Sequence, residues 1–446
     1  MNTPLQDTIV ALATPPMKSA LAIVRMSGSQ SFSIFGKIFS KPITLTQPQM
    51  IFTGWIRDGE EKIDQVVALV YQNPHSFTGE DSVEIITHGS PLITQQVLQL
   101  CIRLGARMAE RGEFSSRAYF HQKIDLIQAE AIHDVIDAVT PEAKRLSLFA
   151  LGGQLSQQLQ PIKTAIAELL ALIEVNIDYP EYEDIEQVTL TKVIDTCQNL
   201  TQFIQSLLDS GEKSRLIKEG IKVAIIGRPN VGKSSLLNAL INDEKAIVTD
   251  IEGTTRDVVE AEFNLEGIYM KVLDTAGIRL SEDRVESMGI QKSLQTIQQA
   301  DIILYVFDAQ NPQEIDPLLL NPVLQNKPII RVYNKKDLTT KQYEDGVMIS
   351  AKTKDFTRLL SAMKQRLGIE PIHYQQPNLT NARQLGDLGK VKGYLEQTLA
   401  DAYAQQTMDI LSSSLQLAYE GMIQLLGLEG KVDLSEEIFS RFCVGK

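Results

Sequence analysis

A short run near the middle of the chain has the residue types of a phosphate-binding loop: Gly227 to Ser234 reads Gly-Arg-Pro-Asn-Val-Gly-Lys-Ser. The glycines let the backbone curl, so that its N–H groups and the N-terminus of the next helix face a phosphate. Lys233 would bring positive charge to the β- and γ-phosphates, and the Ser234 hydroxyl could ligate Mg²⁺. The run follows an apolar segment and opens a helical one, so it predicts a nucleoside triphosphate site without naming the base.

Two later segments would select the base. Asn334-Lys335-Lys336-Asp337 follows the apolar run Ile329 to Tyr333. The Asp337 carboxylate can accept hydrogen bonds from the N1–H and the 2-amino group of guanine, and adenine has neither donor at those places. Ser350-Ala351-Lys352 would complete the pocket through its backbone. Together with the phosphate loop, these segments predict GTP.

Two segments between the phosphate loop and the base-selecting segments would sense the γ-phosphate. Asp274-Thr275-Ala276-Gly277 follows the run Met270 to Leu273, which predicts Asp274 in the second shell of Mg²⁺ and the Gly277 N–H near the γ-phosphate. Thr255 is the candidate that binds Mg²⁺ only while the γ-phosphate is present. The residues predicted to bind GTP are Asn230, Val231, Gly232, Lys233, Ser234, Ser235, Thr249, Asp250, Ile251, Glu252, Gly253, Thr254, Thr255, Asp274, Thr275, Ala276, Gly277, Asn334, Lys335, Asp337, Ser350, Ala351 and Lys352.

The predicted hydrolytic mechanism departs from that of Ras-like proteins. Ile278 follows Gly277, where a glutamine would orient the attacking water. No arginine finger is identifiable from the sequence, yet hydrolysis needs positive charge beside the oxygen between the β- and γ-phosphates. Asn230 offers a neutral oxygen that could hold a monovalent cation such as K⁺ there, together with phosphate oxygens and loop carbonyls. The alternative is that Asn230 shapes the loop and holds no ion.

A parallel sheet must position these motifs, and four apolar runs predict one: Ile221 to Ile226, Met270 to Leu273, Ile302 to Phe307 and Ile329 to Tyr333. Short, continuous apolar runs separated by helical or loop segments are typical of buried parallel strands in an α/β domain. Each motif then lies at the end of one strand.

The regions on either side of this α/β domain have other patterns. Up to about Phe120, β-prone stretches at Leu21 to Met26, Val66 to Tyr71 and Val83 to His88 alternate with Gly, Pro and Asn, which predicts a small α+β domain. The fold class is therefore a P-loop GTPase domain inserted in a discontinuous helical domain and preceded by an α+β domain. The predicted boundaries are 1–120 (α+β), 121–216 (first helical part), 217–370 (G domain) and 371–446 (second helical part).

Apolar residues recur at helical spacing from Leu155 to Ile173, from Val193 to Leu207 and again after Pro377. Pro161 lies inside the first of these runs and predicts a kink or a restart of the helix. Glu174 to Glu186 carries six carboxylates and no Lys or Arg. We interpret this stretch as a solvated acidic loop, with metal binding as the alternative.

Composition narrows the class of protein. The chain has 446 residues, of which 43% are hydrophobic and 22% charged, and only three cysteines. These values predict about three domains without a disulfide framework, in a reducing compartment. A signal-peptide pattern and a membrane-spanning apolar run are both missing from the sequence, so the expected location is the cytoplasm. A net charge of −13 repels polyanions, so a nucleic-acid substrate must be recruited locally or by a partner.

Several runs resemble one family of GTPases. Gly227 to Asn238 and Thr249 to Asp257 look like the TrmE/Era/EngA branch. Further runs are similar to the MnmE (TrmE) family, and the resemblance covers essentially the whole chain. These runs are Ser76 to Asp81 with Glu84 and His88-Gly89, Gly112 to Ala118, Lys123 to Leu126, Gln128 to Ala131 and Phe442 to Lys446.

The resemblance implies a K⁺-stimulated GTPase that dimerises through its N-terminal domain. It also implies that this domain binds a tetrahydrofolate, either the 5-formyl or the 5,10-methylene derivative. The implied partner is the FAD-containing protein MnmG (GidA), which joins the dimer in a heterotetramer. The two proteins together would modify C5 of the wobble uridine in certain tRNAs.

The resemblance also assigns roles to single residues. The implied K⁺ ligands are Asn230, Thr249, Ile251 and Thr254, and the Mg²⁺ ligands are Ser234 and Thr255. The implied water-orienting carboxylate is Glu286, which by sequence alone would be a glutamate on a helix surface. The implied folate contacts are Arg25, Glu84, Lys123 and Lys446. Their charges suit folate, because a carboxylate can pair with the pterin while cations meet the folate glutamate.

Two departures from the family pattern bear on the folate site: Met17 to Ala20 replaces a glycine-rich stretch, and Arg111 replaces a proline. Cys443 is either a buried small residue or a thiol delivered to the folate site, and no base that would lower its pKa is evident.

Two other functions are compatible with an intact G domain. One is a regulatory GTPase that switches ribosome or RNA-particle assembly, but such a factor would need a Lys- and Arg-rich appendage, which is not visible. The other is a folate enzyme with a vestigial G domain, which the intact Lys233, Ser234, Thr255, Asp274 and Asp337 oppose.

Overall fold

The computed structural model describes residues 7–178, 190–228, 230–241, 247–248, 259–265, 268–273, 298–312, 327–354, 356–428 and 445. The chain divides into two compact units. Met1–His133 with Ile423–Lys446 form the N-terminal unit, and Asp134–Met422 form the central unit.

The N-terminal unit contains a six-stranded sheet in the order β3-β4-β5-β2-β1-β6. Its neighbouring strands are antiparallel except for the parallel pair β1 and β6. The strands are β1 Ile9–Leu12, β2 Leu21–Ser27, β3 Gln49–Asp58, β4 Glu61–Tyr71, β5 Ser82–His88 and β6 Arg107–Met108. The helices are α1 Ser31–Ile38, α2 Pro91–Arg103 and α3 Glu113–Phe120.

Alternation along the strands gives this sheet one buried face. Val24 and Met26 of β2 are fully buried with Val66 and Val70 of β4, and they pack in one core with residues of α1 and α2. Intervening side chains such as Arg25 lie on the opposite face, because successive residues of a strand point to opposite sides.

The predicted helical segments are present. They are α4 Leu126–Asp137, α5 Pro141–Leu151, α6 Gln154–Asp178 and α7 Leu190–Glu219, followed after the G domain by α10 Ile372–Gln375, α11 Ala382–Tyr403 and α12 Met408–Leu426. Helix α6 continues through Pro161, so the expected restart of the helix is wrong. Residues 174–178 of the acidic stretch also belong to α6, so the loop prediction is wrong for these five. The rest of that stretch lies outside the described residues.

The G domain contains a seven-stranded sheet in the order β13-β12-β11-β7-β10-β9-β8. The strands are β7 Ile221–Ile226, β8 Ile247–Val248, β9 Val259–Leu265, β10 Ile268–Leu273, β11 Ile302–Asp308, β12 Ile329–Asn334 and β13 Val347–Met348. The four predicted runs form β7, β10, β11 and β12, which pair in parallel as expected. The helices are α8 Lys233–Ile241 and α9 Thr357–Leu367.

Both faces of this sheet are covered, which is why its strands are continuously apolar. Val223 and Ile225 of β7 pack on the side of α8 and α9, whereas Ala224 and Ile226 pack in a second core with Tyr305. The predicted fold class is confirmed: an α+β part, helices and an α/β GTPase part occur in the expected order. The four domain boundaries stay predictions. None of the described helices is both long and apolar enough to cross a membrane.

Candidate nucleotide site

The phosphate loop joins β7 to α8, and two of its glycines are required by close contacts. A Cβ on Gly227 would lie 2.4 Å from the Val306 carbonyl oxygen, and one on Gly232 would lie 2.4 Å from Nδ2 of Asn334. Both glycines have positive φ, +150° and +94°, which other residues rarely adopt. The loop therefore curls tightly over the end of the sheet.

Lys233 points back into this curl. Its Nζ donates to the carbonyl oxygens of Gly227 at 2.7 Å and Arg228 at 2.8 Å. Burial lowers the pKa of this ammonium because a charged group loses solvation there. A phosphate that entered the loop would therefore meet the Lys233 ammonium group, which is already held at the centre of the loop.

Asn334 ties the base-selecting segments to the phosphate loop. Its Nδ2 donates to the carbonyl oxygens of Val231 at 3.2 Å and Gly232 at 3.4 Å. Its Oδ1 accepts from the backbone N–H groups of Lys335 at 2.8 Å and Ala351 at 3.1 Å. One buried amide thus joins three of the predicted GTP-binding segments.

Asp337 has the properties expected of a guanine acceptor. Its side chain is exposed, and its Oδ1 accepts from the Ser350 hydroxyl at 2.6 Å. This hydrogen bond lowers the pKa of Asp337, with a smaller contribution in the same direction from Lys352. The carboxylate is therefore ionised at neutral pH and accessible to a ligand.

Two residues with predicted ion-binding roles lie just before and at the start of α8. Ser234 is exposed in the first turn of α8. Asn230 is exposed and has φ of +65°, a conformation that asparagine tolerates better than most residues. The loop-shaping alternative for Asn230 therefore has a physical basis, independent of any ion.

Some predicted site residues lie outside the described residues. They are Thr249, Asp250, Ile251, Glu252, Gly253, Thr254, Thr255, Asp274, Thr275, Ala276, Gly277, Glu286, Cys443 and Lys446.

Two of the implied folate residues meet in the N-terminal unit. Arg25 and Glu84 are register partners on β2 and β5, and Arg25 Nε donates to Glu84 Oε1 at 2.8 Å. Arg25 Nη1 also donates to the carbonyl oxygen of Gly445 at 3.0 Å. The Phe77 and Phe114 rings lie 6.0 and 5.7 Å from its guanidinium. The cluster thus combines a half-buried ion pair with aromatic surface.

Lys123 is held elsewhere in this unit. Its Nζ donates to the Pro74 carbonyl oxygen at 3.0 Å, and in the described part of the chain no ion pair joins it to Glu84. The side chain passes Gly79, where a Cβ would lie 3.3 Å from Lys123 Cγ. The structure therefore joins Arg25 and Glu84 directly and leaves Lys123 separate.

A second charged cluster beside this ion pair was not assigned a role from the sequence. Arg117 is only 2% exposed, and its Nη1 donates to Glu80 Oε1 at 3.0 Å and to the Asp7 carbonyl oxygen at 2.8 Å. Its Nη2 donates to Glu113 Oε1 at 3.0 Å, while its buried Nε has no acceptor among the described residues. Ser27 donates to Glu80 Oε2 at 2.7 Å. The runs Ser76–Asp81 and Gly112–Ala118 are thus connected by a buried ion cluster.

Asp308 is a second residue that sequence reasoning missed. Its Oδ2 lies 2.6 Å from Lys335 Nζ, which also donates to the Asn230 carbonyl oxygen at 3.2 Å. The signal available in the sequence was its place directly after the apolar run Ile302 to Phe307, at the end of a predicted parallel strand.

Comparisons with known proteins cover nearly the whole chain. Residues 8–123 match the family described as GTP-binding protein TrmE N-terminus, and residues 126–443 match the MnmE helical domain. The tRNA modification GTPase MnmE of Streptococcus thermophilus is 39% identical over 99% of this chain and 98% of its own length. Proteins of the same name from Thermotoga sp. (strain RQ2) and Aster yellows witches'-broom phytoplasma are 38% and 40% identical, over 99% of this chain and 100% and 99% of their lengths. The chain belongs to the MnmE family of tRNA modification GTPases.

Proposed function

We propose that this chain is a K⁺-stimulated GTP hydrolase that helps to modify C5 of the wobble uridine in certain tRNAs. It would act with the FAD-containing partner MnmG and a tetrahydrofolate one-carbon donor. The observation that carries the GTP part is the Asn334 amide, which bridges the phosphate loop and the Ala351 N–H. The family's name supports the tRNA part.

Mg²⁺ and K⁺ have separate proposed ligands. Ser234, at the exposed start of α8, would bind Mg²⁺ with Thr255. Asn230 would bind K⁺ with Thr249, Ile251 and Thr254. A cation beside the bridging phosphate oxygen supplies the positive charge of an arginine finger. Glu286 would orient the attacking water.

The ion pair of Arg25 and Glu84 suits the proposed folate site. Each side chain is about one-fifth exposed, at 20% and 19%, so a ligand can reach both groups. Phe77 and Phe114 beside Arg25 offer apolar surface for a flat ring. Lys123 and Lys446 would add positive charge for the folate glutamate. The role of Cys443 stays open between a buried residue and a thiol that serves this site.

The folate site can be tested without the tRNA reaction. Glu84→Ala should abolish binding of 5-formyltetrahydrofolate and leave GTP affinity intact, because the two ligands are assigned to different parts of the chain. Glu60→Ala, at an exposed turn, is the matched control. Normal folate affinity of the Glu84 variant in calorimetry would remove Glu84 from the pocket.

The same sheet face supports the proposed homodimer. Ile51 and Val67 are 68% and 37% exposed on β3 and β4. Both side chains lie on the same face of the sheet as Glu84. Leu69 of β4 pairs with Ile51 on one side and with Glu84 on the other. Val67 lies two residues before Leu69 and therefore points to the same face. Apolar side chains on an open sheet face fit a contact with a second copy.

A partner protein also fits the charge of the chain. The net charge of −13 disfavours tRNA binding by the chain alone, so MnmG is proposed to contribute to tRNA recruitment. The alternative, a regulatory GTPase in ribosome or RNA-particle assembly, would show GTP turnover without a modified nucleoside.

Reconstitution tests the whole proposal. The purified chain, MnmG, unmodified tRNA, GTP, K⁺ and 5,10-methylenetetrahydrofolate should yield a C5-modified wobble uridine in nucleoside mass spectrometry. Lys233→Met should stop both GTP turnover and modification, whereas Lys341→Met, at an exposed position, should not. Turnover without any modified uridine favours the regulatory alternative. Equal turnover in Na⁺ and K⁺ at matched ionic strength removes the cation mechanism.

A further inference from the structure

Asp308 ends β11, the strand between β7 and β12 in the central sheet. The loops after those two neighbours carry the phosphate-binding and base-selecting residues. Asp308 is therefore placed between both halves of the nucleotide site, although none of the GTP motifs includes it.

Lys335 connects Asp308 to the phosphate loop. Its Nζ lies 2.6 Å from Asp308 Oδ2 and 3.2 Å from the Asn230 carbonyl oxygen. Lys335 and Asn230 both have φ of +65°, a left-handed conformation that is uncommon outside glycine. One ammonium group thus joins a carboxylate to the loop residue in this conformation.

The Asp308 carboxylate is itself held in place. Its Oδ1 accepts from the Gln310 N–H at 3.0 Å. The Ala309 N–H donates to the Asn334 carbonyl oxygen at 2.9 Å, and Gln310 Nε2 donates to the Leu338 carbonyl oxygen at 3.3 Å. The turn after β11 is therefore attached to the base-selecting loop on both sides of Lys335.

Asp308 carries its charge at neutral pH. Burial raises its pKa, but hydrogen bonds and charge attraction from Lys335 lower it more, so the net shift is downward. Asp308 and Lys335 are 24% and 32% exposed. An ion pair with this exposure adds little to stability, so fixing the position of Lys335 is its main physical effect.

We infer that Asp308 is a positioning residue of the nucleotide site, where it orients Lys335 so that the ammonium holds the phosphate loop at Asn230. This inference rests on the proposed GTPase function. Because Asn230 is also the proposed K⁺ ligand, loss of the Asp308 charge should change both nucleotide affinity and the K⁺ requirement.

Three variants of the full-length chain test this role. Asp308→Asn removes the charge, and Asp308→Glu keeps it on a longer side chain. Asp345→Asn is the matched control, because Asp345 also bonds an arginine and a hydroxyl of β12, Arg331 and Tyr333, outside the nucleotide-binding loops. The measurements are the affinities for GDP and GTP, kcat and KM, the K⁺ concentration for half-maximal turnover, and the melting temperature.

Asp308→Asn should lower the affinities for GDP and GTP to the same extent, by about tenfold. This is the effect expected from the loss of one charge-assisted contact. It should raise the K⁺ concentration for half-maximal turnover, and its effect on KM should exceed that on kcat. Asp308→Glu should recover part of the affinity. Asp345→Asn should keep the wild-type nucleotide affinity, K⁺ requirement, KM and kcat.

Two results would overturn the inference while GTP binding by the wild type stands. One is Asp308→Asn with wild-type affinity and K⁺ requirement. The other is a loss of affinity that merely follows a fall in melting temperature, as a structural ion pair would give. If Asp308→Asn does not fold, Asp308→Ser, which also removes the charge, takes its place: an unchanged K⁺ requirement in that variant decides against the inference, and a raised one supports it. A wild-type chain that binds no GTP would remove the proposed function instead.

Discussion

The two charged regions of this molecule use their ions for opposite purposes. In the N-terminal unit, the guanidinium of Arg117 is buried against the carboxylates of Glu80 and Glu113. In the nucleotide site, Lys233 donates to the backbone carbonyl oxygens of two phosphate-loop residues, and the exposed Asp337 accepts from a hydroxyl. The buried cation of the first region is held by carboxylates, whereas Lys233 and Asp337 in the second region make no ion pair among the described residues and are positioned for a ligand.

This difference determines whether a substitution in each region should affect stability or ligand binding. Removal of one member of a buried ion cluster leaves its partners charged and without compensation, which destabilises the fold strongly. Removal of an exposed group beside a ligand site leaves the fold intact and lowers the affinity for the ligand. The only tryptophan of the chain, Trp55, lies on β3, so its fluorescence reports unfolding of the N-terminal unit.

The largest effect is expected from Arg117→Met. The variant leaves the buried Glu80 without its cation, whereas Glu113 keeps Arg107, and it should lower the free energy of unfolding of the N-terminal unit by about 3–5 kcal/mol. Urea unfolding followed by Trp55 fluorescence measures this value. The control is Arg103→Met, whose pair with Asp58 is exposed and should contribute about 0–1 kcal/mol. Equal losses in both variants would show that the buried cluster is not the main support of this unit.

The next effect concerns Asn230 and should appear in turnover rather than in stability. If Asn230 is the proposed K⁺ ligand, removal of its side-chain oxygen should make turnover in K⁺ fall by about 100-fold while GTP affinity changes little. Two variants are needed, because Asn230 has φ of +65° and alanine is strained there, whereas glycine is not. Asn230→Gly and Asn230→Ala should both lose K⁺ stimulation. Retained stimulation in the glycine variant would assign Asn230 to loop shaping.

A smaller effect is expected from Asp337→Asn, which changes the base that is bound. Loss of the ionised acceptor should lower the affinity for GTP by about tenfold or more. The amide should admit xanthosine triphosphate, whose 2-oxo group can accept a hydrogen bond from it. Competition binding of the two nucleotides measures both changes. The melting temperature should stay at the wild-type value, since Asp337 is exposed, and unchanged GTP affinity would contradict the base assignment.

The nucleotide site could be predicted from the sequence because each of its segments is short and follows one apolar strand. The order of the strands in a parallel sheet then brings the loops together. Asp308 was missed because its role depends on the side chain of Lys335, 27 residues away, and no spacing rule links the two.

The site of Arg25 could not be predicted from spacing. Its partner Glu84 is 59 residues away and Gly445 is 420 residues away, and the sheet order β3-β4-β5-β2-β1-β6 cannot be read from the alternation of apolar residues. Only the family resemblance pointed to Arg25 and Glu84. The Arg117 cluster shows the limit of that approach, since resemblance identified its two runs without giving them a physical role.

The smallest effect is the response of the two units to mild acid. In the N-terminal unit, burial raises the pKa of Glu113, but bonds from Arg107, a backbone N–H and Arg117 lower it more, so the net shift is downward. A carboxylate with a lowered pKa stabilises the fold above the unfolded-state pKa and loses this contribution as the pH falls toward the folded-state value. In the central unit, burial raises the pKa of Asp301, so that its contribution has the opposite sign and is lost as the pH rises. Urea midpoints from Trp55 fluorescence should therefore fall as the pH drops from about 5 through the unfolded-state pKa of glutamate, about 4.3, toward the lower folded-state value. Glu113→Gln, which is neutral throughout, should make this fall shallower, and an identical pH profile in this variant would exclude Glu113 as its source.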